Sequence, residues 1–190
     1  MSVIELPATL SNFFTHLGRG IRRVAPRTTQ PQLRIGAVVT PSPLTLTAST
    51  VSTQPEVLCL AIAGPLNCYT YTLLIDRVAA AYAAGQRALI LDLRETTRIE
   101  LSGLFALHSI TRLYAGQGLL NPEGGWAVLH WSAEELTPEL GQRVKLLAPA
   151  PAVAKILRIV GFDRCVESYD DLDAAVAAFM RTQIFTTIHG

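Results

Sequence analysis

Residues 88–104 read Ala-Leu-Ile-Leu-Asp-Leu-Arg-Glu-Thr-Thr-Arg-Ile-Glu-Leu-Ser-Gly-Leu. The stretch Ala88–Leu93 is a continuous apolar run interrupted only by Asp92. Such a run is too short for a helix and does not alternate, so it fits a strand buried on both faces. From Ser102 the pattern changes. Leu104, Leu107, Ile110 and Tyr114 recur at steps of three and four, which predicts a helix over Ser102–Ala115. A buried strand followed by an amphipathic helix is half of a βαβ unit.

The same alternation continues on both sides. Upstream, Val57–Ala63 is another apolar run, ended by Gly64-Pro65. Thr70–Ala84 then carries Leu74, Val78, Ala81 and Tyr82 at helical spacing, with Gly85 placed to stop the helix. Downstream, Arg143–Ala148 reads as a strand, and Pro151 takes the first position of a helix marked by Val153, Ile156, Leu157 and Val160. Cys165–Glu167 is a short strand. Asp170 is expected to cap a last helix carrying Leu172, Val176 and Phe179, with Asp171 and Asp173 in its first turn. The fold class is therefore α/β. A mixed, mainly parallel sheet of four to five strands is expected, with four crossover helices and one helix layer on each face.

The flanks differ from this core. Residues 1–25 carry Leu10, Phe14, Leu17, Ile21 and Val24 on one helical stripe, with Arg19, Arg22 and Arg23 near its end. This extension is expected to pack on its own domain or on a second copy, giving a homo-oligomer. The other reading is contact of residues 8–24 with a membrane or a partner. Residues 26–56 are rich in Pro and Thr and read as a linker with edge strands around Gln32–Val39 and Leu44–Ala48. Residues 57–181 form the domain, with an insertion at 119–140 that exceeds an ordinary connection. Within it, Trp126–Trp131 reads as an extra strand and Ser132–Glu135 as a capping box. Gly124–Leu129 competes with Arg143–Ala148 for the third strand; Arg143–Ala148 is preferred because it abuts the third helix.

Composition narrows the function. Of 190 residues, 49% are hydrophobic and 16% charged, which is enough apolar material for a core. A net charge of +1 gives no field favouring nucleic acid. Cys59, Cys68 and Cys165 form no CxxC pair, and His16, His108, His130 and His189 are scattered, so no metal or cofactor is implied. The sparse cysteines, with no secretory pattern and no membrane-length run, lead to a cytoplasmic expectation. No Gly-rich phosphate loop or nucleophile elbow occurs. Ser102, His108 and Asp92 are all present, but Ser102 and His108 are six apart on one helix and face different ways, so no enzyme is expected.

Four segments in this order resemble the STAS domain of anti-sigma-factor antagonists. Leu60-Ala-Ile-Ala-Gly-Pro-Leu-Asn67 is similar to the family's first apolar strand and its ending. Ala88-Leu-Ile-Leu-Asp-Leu-Arg94 is similar to its central strand. Ile99-Glu-Leu-Ser-Gly-Leu104 resembles its Asp-Ser-Ser-Gly-Leu turn. Pro149-Ala-Pro-Ala-Val153, with Leu157 and Gly161-Phe-Asp163, resembles the segment around the third helix. The resemblance spans about two-thirds of the chain. It implies a STAS-like fold and a non-catalytic regulator that binds a protein partner, such as an anti-sigma factor that is also a serine kinase. In such proteins a serine at the start of the second helix is phosphorylated, and the charge releases the partner.

This chain departs from that pattern. Leu101 stands at the phosphorylated position, Glu100 replaces the aspartate before it, and Asn67 replaces another aspartate. The usual switch is therefore not expected. Ser102 remains as a candidate phosphorylation site, its bland reading being an N-cap or first-turn serine. Asp92 is expected to accept loop or helix N–H groups, or to shape the partner surface. Leu101, Phe105 and His108 share a second stripe of the second helix. A helix apolar on two faces is either deeply buried or meets a partner, and partner contact is the reading adopted. The expected partner surface is Asn67, Thr97, Glu100, Leu101, Ser102, Phe105 and His108. An accessory domain of a membrane transport system is the alternative role, and an enzyme of unknown type the remote one.

Overall fold

The computed structural model describes residues 43–53, 56–121 and 136–188. The chain divides into two compact units, Met1–Val39 and Thr40–Gly190, and all described residues lie in the second. The expected helix at 1–25, the strand at Gln32–Val39 and the segments Gly124–Leu129, Trp126–Trp131 and Ser132–Glu135 lie outside the described residues.

Strand β1 (Thr45–Thr53) runs antiparallel to β2 (Glu56–Leu66) and extends beyond the edge strand expected around Leu44–Ala48. Helix α1 (Tyr71–Ala83) leads to β3 (Leu89–Asp92), whose four residues are all buried. A short strand, β4 (Thr96–Ile99), precedes helix α2 (Leu101–Tyr114). Then follow β5 (Val144–Leu147), helix α3 (Pro151–Ile159) with proline in its first turn, β6 (Ser168–Tyr169) and helix α4 (Leu172–Ile188). The sheet order is β1-β2-β3-β5-β6, parallel apart from β1, with β4 pairing β2 away from that path.

Four expectations need correction. The described residues form six strands rather than four or five, because β4 is an additional strand. Strand β2 does not stop at Gly64-Pro65. Its ladder with β3 ends at Ala61, and Gly64, Pro65 and Leu66 then pair with β4 across a register shift. Proline is tolerated there because the irregularity removes the need for its missing N–H. Strand β6 lies at Ser168–Tyr169, not Cys165–Glu167. Cys165 instead follows a 3-10 turn at Phe162–Arg164, and only Ser168 and Tyr169 reach β5. The cap of α4 is Asp171, whose Oδ1 accepts the Ala174 N–H at 2.8 Å, rather than Asp170.

The helices are also not divided evenly. Leu60 and Ile62 of β2, Leu89 and Leu91 of β3, and Val144 and Leu146 of β5 point to one face, where α1, α2 and α3 cover them. The opposite face, with Val57, Cys59, Ile90 and Leu147, meets Ala175 and Phe179 of α4. Lys145 is buried on this strand; its Nζ donates to Glu167 at 2.8 Å and lies 5.7 Å from the Phe179 ring, which makes the buried charge tolerable. Placing three helices on one face makes α2 the central one, and ten of its residues are buried. Each leucine or isoleucine on its inner stripe contributes about 1.5–3 kcal/mol by burial, as an upper estimate.

The capping assignment is directly testable. Asp171→Ala should cost about 1 kcal/mol in urea denaturation, whereas Asp170→Ala should stay within about 0.5 kcal/mol. Equal effects would return the cap to Asp170.

Candidate functional site

The sequence-derived candidates converge where β2 and β3 end and α1 and α2 begin. Thr96 holds this end of the sheet together: its Oγ1 donates to the Ile62 carbonyl at 3.0 Å, and the Gly64 N–H donates to the Glu95 carbonyl at 3.0 Å. Gly64 has φ +107°, and a Cβ there would lie 2.9 Å from the Pro43 carbonyl oxygen, so the crossing suits glycine alone. The Glu100 N–H then donates to the Leu66 carbonyl at 2.9 Å, fixing the start of α2 on the end of β2.

Gly103 completes this contact. A Cβ on Gly103 would lie 2.8 Å from both the Leu66 Cβ and its carbonyl oxygen, and 2.9 Å from Ile99. The glycine therefore faces inward. Two residues earlier, Leu101 points the opposite way by helical geometry and is 41% exposed. Ser102 is half-buried and is the second residue of the helix. The N-cap is Glu100, which makes no side-chain capping bond but pairs with Arg98 at 2.7 Å. Thr97 is exposed on β4.

Three members of the expected partner surface stand elsewhere. Phe105 is only 7% exposed and His108 only 1% exposed, so the second stripe of α2 is not an open surface. Phe105 points away from the sheet, yet Tyr71 of α1 covers it edge-on, with ring centroids 6.0 Å apart. Burial, then the nearby Arg112, push the His108 imidazole down to about 4, so it is neutral at ordinary pH. Asn67 is buried too, and it is structural. Its Oδ1 accepts the Tyr69 N–H at 2.9 Å, while its own N–H donates to Thr70 Oγ1 at 2.9 Å. This side-chain turn launches α1 and turns Cys68 and Tyr69 outward.

The open surface beside Leu101 is made up of residues outside those motifs. Tyr69 is 79% exposed and Leu73 is 52% exposed, at the start of α1 beside the Tyr71–Phe105 contact. Their signal in the sequence was their absence from the inner stripe of Leu74 and Val78.

Asp92 takes its expected structural role. It is buried at the end of β3 and accepts the Arg94 backbone N–H at 3.1 Å and the Arg94 guanidinium at 2.6–3.1 Å. Burial would raise its carboxyl, but the hydrogen bonds and charge of Arg94 outweigh it and hold the carboxyl below the usual range. Ser102, His108 and Asp92 thus have separate surroundings. Among the described residues, no group of three His, Cys, Asp or Glu side chains is placed to hold a metal ion, and no helix is long and apolar enough to cross a membrane.

An open, mainly parallel sheet with three helices on one face, and a helix start clamped to the end of its second strand, defines a STAS-type α/β protein. Residues 48–119, from within β1 to just beyond α2, match the family model described as the STAS domain. That stretch of the chain is thus similar to a STAS domain. Nothing among curated protein sequences matches it. Among the solved structures that share the fold are two of similar extent. An anti-sigma factor antagonist from Mycobacterium paratuberculosis is 21% identical, with TM-score 0.50 over 73% of this chain and 95% of that one. A Thermotoga maritima protein, provisionally described as an anti-sigma factor antagonist, is 19% identical, with TM-score 0.54 over 72% and 95%.

Two outcomes follow from this geometry. Gly103→Ala should destabilise the chain by about 1–3 kcal/mol in urea, because backbone and a packed leucine occupy the space of the new methyl. An unchanged midpoint would mean that α2 is free to shift from β2. Because the folded Asp92 carboxyl titrates below its unfolded value, it stabilises the fold above the ordinary value of 3.8, and this is lost as pH falls through the folded value. Asp92→Asn should therefore cost on the order of 1 kcal/mol at neutral pH. The gap to wild type should close in acid.

Proposed function

We propose that this chain is a non-catalytic regulatory domain that binds a protein partner through the start of α2 and the adjoining start of α1. The observation that carries this reading is Leu101, a 41% exposed leucine in the first turn of α2, with exposed Tyr69 and Leu73 on α1. Leucine and tyrosine side chains left open at one end of a sheet favour burial against another macromolecule. Phe105 supports this surface from beneath, and Asn67 shapes the turn beside it; neither touches the partner.

The partner class that fits best is an anti-sigma factor, because the fold is shared with proteins described as antagonists of such factors. The chain acts in the cytoplasm as a partner-binding regulator of transcription. Leu101 has no hydroxyl to accept phosphate, so binding is not switched at that position. Ser102 is half-buried in the clamped first turn, and its role is structural.

Affinity purification of tagged wild type and Leu101→Glu tests the surface. The variant should keep its thermal midpoint, since the side chain is already exposed, and should recover at least about tenfold less partner, because a carboxylate would be desolvated at the contact. Equal recovery would place the interface elsewhere. Recovery of a membrane transporter subunit, in place of an anti-sigma factor, would favour the transport-accessory role. Mass spectrometry of the same samples should find Ser102 unmodified.

A further inference from the structure

Strand β1 stands first in the sheet order, and among the described residues it pairs with β2 alone. Along its other side the backbone N–H and C=O groups meet no described strand. Open edges are usually blunted by lysine, by proline or by being short. β1 has nine residues, Thr-Leu-Thr-Ala-Ser-Thr-Val-Ser-Thr, with no charge and no proline. Thr45, Thr47, Ser49 and Thr50 are exposed, whereas Leu46 and Ala48 pack against the helix-side core.

Two features bound the part of this edge that can take another strand. Pro43 has no N–H to donate. At the other end, a register shift between Thr50 and Ser52 breaks the ladder. The regular window is therefore Leu44–Thr50, and Thr47 is its centre. An antiparallel strand with the same window fits it fully only when Thr47 meets Thr47. A second copy of this chain supplies that strand. A twofold axis normal to the sheet keeps every residue on its own face. Thr45 then lies opposite Ser49 of the other copy on the hydroxyl face, and Leu46 opposite Ala48 on the helix face. A charged edge would repel its own image, and this one carries no charge to do so.

We propose that β1 is a self-pairing edge, through which two copies join antiparallel into one continuous sheet with Thr47 on the twofold axis. The far edge, β6, is two residues long and templates nothing, so assembly closes at a dimer. The seam is much shorter than a standard interface of about 20–30 residues a side, so the dimer dissociates on dilution. It shares no residue with the Leu101 surface, and the outcome here leaves that reading untouched.

Sedimentation velocity of the full chain over a dilution series up to about 1 mM should show a monomer–dimer equilibrium. Thr47→Lys, which sets two ammonium groups against each other on the axis, should weaken it at least about tenfold. Its thermal midpoint in dilute solution should match wild type, because Thr47 is exposed. A second measurement reads the register. In a Cys68→Ser background, which removes the exposed thiol, a short bismaleimide should join Thr47→Cys to its copy. Thr45→Cys, about 14 Å from its own copy in this register, should stay largely monomeric. A wild type that is monomeric throughout would overturn the proposal. So would a dimer indifferent to Thr47→Lys, or equal cross-linking of the two cysteine variants.

Discussion

The first turn of α2 rests on the end of β2 with no side chain between them. Gly103 against Leu66, and the Glu100 N–H on the Leu66 carbonyl, bring two backbones together more closely than any Cβ would allow. This contact sets the rotation of α2. With Gly103 held inward, Leu104, Leu107 and Ile110 enter the core and Leu101 must face out. The same contact requires β2 to run on past its ladder with β3, and β4 is the strand that accompanies this overhang. Helix orientation, strand length and the open leucine are thus one arrangement.

Most of the scaffold was legible because it is written in local patterns. Buried runs such as Ala88–Leu93 and inner stripes such as Leu104, Leu107 and Ile110 need only strand or helix periodicity to be read. Strand β4 was hidden for the opposite reason. Thr-Thr-Arg-Ile carries two buried residues, Thr96 and Ile99, and exists only through pairing with residues some thirty positions earlier. Nothing in a four-residue window reports such a partner.

The site was legible in place but not in detail. The sequence marked α2 as apolar on two faces without saying what covers the second. That answer lies in the strand order, which puts α1, α2 and α3 on one side and closes Phe105 under Tyr71. Asn67 occupies a motif position, and the motif alone assigns it to the partner surface. Its own turn, with Tyr69 two residues on, is a local signal of a structural asparagine. No motif names the exposed Tyr69 and Leu73.

The sheet order β1-β2-β3-β5-β6 repeats the order of the chain. Each strand of that path is laid against the one made just before it, so assembly requires no later segment to thread between earlier ones. A ribosome releasing this chain would add strands to one growing edge, and each crossover helix would cover its strand pair as it emerged. Helix α4, the last element and the cover of the opposite face, is the exception: until it arrives, Val57, Cys59 and Ile90 face water. The nascent domain is thus greasy on one side until residues 172–188 have been made, and that interval is when a chaperone would find it.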